Sequence, residues 1–106
     1  MNLYVNDEVG LLKTVILGIA NDFGGTPSAS ECYDPKSLES VQSGTYPNEI
    51  DLVSEMEHFG RVLERHDVQV IRPGVLSGLN QIYARDIAFV IEDKLLIPNI
   101  IEDRAQ

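Results

Sequence analysis

The chain has 106 residues, 17 of them acidic against 8 basic, giving a net charge of −9, and 43% are hydrophobic. That length holds one small domain or part of a larger one, and the apolar content is too high for a disordered tail. The few Lys and Arg form no cluster, which argues against nucleic acid as a partner, because binding a polyanion rests on grouped cations that release counterions.

The opening stretch MNLYVNDEVG is neither a basic-then-apolar signal peptide nor an Arg-rich transit sequence. No apolar run approaches the roughly 20 residues of a membrane helix, so no membrane partner is expected. One cysteine, Cys32, cannot form an internal disulfide, and a reducing cytoplasm is the expected compartment.

Residues 11–19, LLKTVILGI, are β-branched-rich and closed by Gly18, which predicts an inner strand. Residues 20–46 lose all periodicity. Gly, Ser, Pro and Asp dominate a long irregular loop of the kind that is either functional or mobile. Within it DPKSLESV has room for one helical turn.

Residues 47–67 predict a long helix. Leu52, Met56, Phe59 and Leu63 recur at spacings of four, three and four, and Val53 and Val62 widen the stripe. Asn48 is placed as N-cap, acidic residues occupy the first turn, and Arg61 and Arg65 lie near the end. Gly60 weakens such a helix by about 1 kcal/mol relative to Ala, which points to close packing at that residue.

A second strand follows at residues 67–71 (DVQVI), stopped by RPG. Residues 86–91 (DIAFVI), the turn Glu92–Asp93 and residues 94–98 (KLLIP) read as a hairpin, although the turn lacks the Gly or Asn that a tight hairpin prefers. The pattern is α/β, with a mixed sheet and one long helix. No internal repeat or domain boundary interrupts it.

The chemistry-bearing candidates are few. Asp86 is expected as the first or second residue of the sheet, where a carboxylate is held rigidly and can accept two parallel bonds from a guanidinium. Spacing alone favours the plainer reading, an Arg85–Asp86 pair that caps the loop or a salt link to a neighbouring segment. Cys32 lies in the irregular segment with nothing to hold its thiolate near a base; His58 and His66 sit on and just after the helix. No metal is expected, since there is no second Cys, no His pair at ligand spacing and no calcium-type loop. FGGTPS lacks the Lys and the strand–loop–helix frame of a phosphate cradle, and no cofactor is expected.

Three ordered stretches resemble the amidinotransferase and arginine deiminase superfamily, whose fold is the five-bladed α/β propeller called the pentein. NDEVGLLKTVILG is similar to its opening strand, EIDLVSEMEHFGRVLERHDVQVIRP to its first long helix and following strand, and NQIYARDIAFVIEDKLLIP to its Arg-Asp strand and hairpin. Within the superfamily the likeness is closest to glycine amidinotransferase and its bacterial relatives. Tyr83–Ala84 stands where arginine deiminases usually have Phe-Thr, and Glu92–Asp93 where the hairpin usually has Gly.

The resemblance implies that residues 1–106 are an N-terminal fragment of a single pentein domain, roughly the first blade plus the start of the next. It implies that Asp86 holds the guanidinium of an arginine-like substrate, that Arg85 locks the strand end, and that Arg104 lies near an Arg that grips a substrate carboxylate. The family's nucleophilic Cys, which forms an amidino-thioether intermediate, matches no residue here, so the fragment alone is expected to be inactive.

Two alternatives stay open. One is a guanidine hydrolase of the same superfamily, of arginine deiminase type. The other is a freestanding, non-catalytic α/β domain that binds a cationic ligand or a partner protein. With one good helix and three to five strands, much of one sheet face lacks a cover, so contact with missing blades of its own chain, or homo-oligomerisation, is expected.

Overall fold

A computed structural model describes residues 3–99, which form a mixed α/β arrangement of two helices and two small sheets. Strands β1 (Thr14–Ile16) and β2 (Gln69–Ile71) pair in parallel, with Val15 opposite Val70. Parallel neighbours need a long crossover, and residues 17–68 supply it with helices α1 (Pro35–Ser43) and α2 (Glu49–Arg65). Strands β3 (Phe89–Ile91) and β4 (Lys94–Leu96) form an antiparallel hairpin, with Ile91 opposite Lys94.

The α/β class and the long helix are as expected; the single mixed sheet is not. Among the described residues the parallel and antiparallel pairs stay separate. The strand expected over residues 11–19 narrows to three residues because its neighbour changes part-way. Leu17 N–H still donates to Ile71 O of β2 (3.0 Å), but Ile19 N–H donates instead to Gln81 O (3.1 Å), in an isolated antiparallel bridge.

Both helices carry their own start signals. The Asn48 side chain accepts from Asp51 N–H (2.9 Å) at the head of α2. The Asp34 side chain accepts from Ser37 N–H (2.8 Å) at the head of α1, with Pro35 in the first turn, where its missing N–H does no harm. At the end of α1, Gly44 takes φ 72°, Thr45 N–H returns to Ser40 O (2.9 Å) and Gly44 N–H to Val41 O (3.3 Å). That double closure needs a residue free to enter the left-handed region. The single turn expected in DPKSLESV is thus a helix of nine residues.

The core is small: Leu17, Ile19, Ala20, Phe23 and Val68 are its buried apolar residues. Gly60 is the buried residue of α2, facing Leu17, which accounts for a glycine inside a helix. Phe59, expected on the buried stripe, is half-exposed. The accessible surface is 8220 Å² for a mass of 11.8 kDa. A compact monomer of that mass exposes about 5,900 Å². The radius of gyration, 15.6 Å, likewise exceeds the roughly 13 Å of a compact domain of this length. Among the described residues no helix is long and apolar enough to cross a membrane.

Candidate functional site

The segment that carries Arg85 and Asp86 is seated by its backbone and by Gln81. Gln81 O receives Ile19 N–H, its side-chain oxygen accepts from Leu76 N–H (2.8 Å), and its amide nitrogen donates to Gly74 O (2.9 Å). The segment crosses directly over Gly18. A Cβ on that residue would lie 2.0 Å from Ile82 O and 2.3 Å from Gln81 O, so only glycine allows the two backbones to meet.

The other side of Gly18 is held by Arg72. Its Nη1 donates to Gly18 O (2.9 Å), and its Nη2 to Met56 O of α2 (3.0 Å) and to Glu57 Oε1 (3.3 Å). One planar guanidinium therefore joins the end of β1 to α2. Gly60 makes room for it, since a Cβ there would stand 3.0 Å from Arg72 Nη2.

After the crossing, Ala84–Asp86 winds into a single 3-10 turn, with Asp86 N–H donating to Tyr83 O (3.1 Å) and Ile87 N–H to Ala84 O (3.2 Å). Asp86 was expected at the first or second residue of the sheet; it lies in the turn, three residues ahead of β3. The turn is the physical reason. Ile87 follows with φ −110° and ψ −17°, which is helical rather than extended, so pairing cannot begin before the chain straightens.

Asp86 is half-buried, its side chain 34% exposed, whereas Arg85 is 90% exposed. Arg85 Nε stands 3.8 Å from Asp86 Oδ1. That is beyond hydrogen-bond range, and an exposed pair of this kind contributes between nothing and about 1 kcal/mol. The firmer bonds shown for this segment lie earlier, at Gln81 and at its crossing over Gly18. Arg104 lies outside the described residues.

Beside the turn, an open cleft of about 270 Å³ is walled by Ile16 and Leu17 of the first strand segment, Met56 and Phe59 of α2, and Ile82 and Tyr83. Arg85 reaches its edge and is the charged residue that lines it; Asp86 is not part of the lining. Of the two charges, Arg85 therefore borders the apolar cleft and Asp86 does not.

Residues 20–46 do not hang free at their start. Asp22 takes φ 51°, its O accepts from Gly78 N–H (3.0 Å), its carboxylate from Ser77 Oγ (2.7 Å), and its N–H donates to the carboxylate of Glu49. At the far end, Tyr46 is half-buried near Cys32, Asp34, Tyr33 and Tyr83. Burial pushes its phenol above the usual tyrosine range, and the negative charge those neighbours can carry adds to the shift.

The remaining candidates gather no chemistry. Cys32 points its thiol at Ser28 O (3.5 Å), and His58 and His66 are exposed. The Glu31 carboxyl is held below its ordinary range by Ser28, whose backbone N–H donates to it at 2.8 Å. Among the described residues no group of three His, Cys, Asp or Glu stands close enough to hold a metal ion.

Comparison with protein-family models, with curated proteins and with solved structures returns no match to this chain. Three residues that seat the segment ahead of the turn, Gly18, Arg72 and Gln81, are not among the site residues that the sequence suggests; Gly18 reads there as a strand end and Arg72 as part of a strand stop. The one available signal was a glycine inside an otherwise aliphatic strand, which marks a close backbone approach.

Proposed function

We propose that this chain is the N-terminal part of an amidinotransferase of pentein type, and that Asp86 receives the guanidinium of an arginine-like substrate. On this reading the chain corresponds to roughly the first blade of the propeller with the start of the next. The nucleophilic cysteine belongs to a longer reading frame, and Cys32 takes no part.

The observation that carries the reading is the seating of Asp86. It is a half-buried carboxylate in a hydrogen-bonded turn ahead of a hairpin, and a carboxylate can accept two parallel N–H bonds from a guanidinium. Holding a guanidinium that way orients its central carbon for attack, which is catalysis by positioning. A net charge of −9 adds a long-range pull on a cationic ligand.

Two measurements test it. Titration of the labelled chain with L-arginine, with L-lysine as control, should shift the amide resonances of residues 84–87 selectively, and Asp86→Asn should abolish that shift. Equal shifts with lysine, or an unchanged response in Asp86→Asn, would overturn the assignment. The native protein in its source cell should also run several times heavier than 106 residues; a native species of this size would remove the enzyme.

Transferase and hydrolase differ only in what accepts the group, an amine or water, and product analysis of a longer form separates them. A second reading, a non-catalytic binding domain, is favoured by one observation. The cleft is apolar and its charged edge is Arg85, which suits a ligand with an apolar body and an anionic end.

A further inference from the structure

Phe59 belongs to the apolar stripe of α2, yet it is 50% exposed, and Ile16 of β1 is 44% exposed. Both line the cleft beside the Arg-Asp turn, together with Leu17, Met56, Ile82 and Tyr83. The first strand, the long helix and the segment over Gly18 thus each give apolar side chains to one hollow of about 270 Å³. Its walls are tied to one another. Arg72 donates to Gly18 O and to Met56 O, and the Ile82 carbonyl stands so close over Gly18 that a Cβ has no room. A preformed apolar hollow with few polar groups at its edge is how small-molecule sites are built.

We propose that the cleft binds a small monocarboxylate, its apolar body among Ile16, Met56, Phe59 and Ile82 and its carboxylate on Arg85. The proposal rests on the binding-domain reading of the cleft and is independent of any ligand at Asp86. Charge selects the head group. Arg85 is the charged residue among those that line the cleft, and its side chain is 90% exposed. Its ion pair with Asp86, at 3.8 Å, is longer than a hydrogen bond. A guanidinium offers a planar fork of N–H donors that matches the two oxygens of a carboxylate. A cationic head is repelled there, and an uncharged one gains little.

The net charge of −9 opposes an anion at long range, but at physiological salt charges beyond about 8 Å are screened, so the contact with Arg85 decides. Size sets the body. Sites for drug-sized ligands run from about 300 to 1,000 Å³. A hollow slightly below that range, open to solvent, takes a single ring or one medium-length chain.

NMR titration of the labelled 106-residue chain at 150 mM NaCl compares three ligands with the same hydrocarbon body: octanoate, 1-octanol and octylammonium. Octanoate should bind tightest and octylammonium weakest, and octanoate should shift the resonances of Ile16, Leu17, Met56, Phe59 and Ile82. Arg85→Gln, at a solvent-exposed residue where substitution leaves the fold in place, should weaken octanoate by about fivefold, the upper end for an exposed ion pair, and leave octanol unchanged. Asp86→Asn should not weaken octanoate. Equal binding of octanoate and octanol would overturn the carboxylate assignment while the cleft stands as a binding site. No shift at these residues with any of the three would overturn both. Tightest binding by octylammonium, or octanoate binding that Arg85→Gln does not reduce, would also overturn the proposal.

Discussion

Gly18→Ala puts the joint between β1 and the Arg-Asp segment to a direct test. The added methyl would lie 2.0 Å from Ile82 O, 2.3 Å from Gln81 O and 2.5 Å from the Ile82 carbonyl carbon. All three are backbone atoms, so no rotamer change relieves the clash, and the crossing must lift by more than an ångström. Lifting it breaks the Ile19 N–H to Gln81 O bond. Overpacking of this kind costs about 1–3 kcal/mol, and the lost hydrogen bond about 1 more. The expected loss is therefore about 2–4 kcal/mol, a large share of the roughly 5–15 kcal/mol that holds a domain of this size. Urea unfolding monitored by circular dichroism measures it directly. The lifted segment also carries Asp86, so the arginine-dependent shifts at residues 84–87 should vanish together with the stability. A variant within 0.5 kcal/mol of the parent, on a scale where even neutral surface changes scatter by about that much, would refute the crossing as drawn.

Three further outcomes follow from the same structure. Arg72→Met keeps the aliphatic stem but removes the donors to Gly18 O, Met56 O and Glu57, and should destabilise the chain by about 2 kcal/mol in urea unfolding, the magnitude of losing hydrogen bonds to a charged group at a partly buried place. Glu92→Gly should stabilise it by about 0.5–1 kcal/mol, because Glu92 is held at φ 53°, where a side chain costs about 1–2 kcal/mol and glycine's extra unfolded freedom takes back only part; a thermal melt reads the gain. Tyr46, whose phenol is raised when folded, contributes stability that is present below pH 10 and lost as pH climbs through the raised value. Unfolding at pH 9 and pH 11 should show a fall that is smaller in Tyr46→Phe.

The sequence discloses most where one residue's signal is local. The stripe from Leu52 to Leu63 and the cap at Asn48 predict α2, and both are found. The two charged residues Glu92–Asp93 between apolar runs predict the hairpin, and the structure holds Glu92 at φ 53°, in the left-handed region that Gly or Asn would have taken more easily. Helix α1 was legible in principle, since Asp34–Pro35 starts it and Gly44 stops it, but the Ser-rich run between them hides the period. What the sequence conceals is contact at a distance. The partner change at Gly18 depends on a segment more than 60 residues away, and two of the three bonds of Arg72 end on backbone carbonyls that have no side-chain signature. The place of Asp86 in a turn rather than a strand depends on a few backbone angles. Asp-Ile-Ala-Phe-Val reads as extended whether pairing begins at residue 86 or at 89.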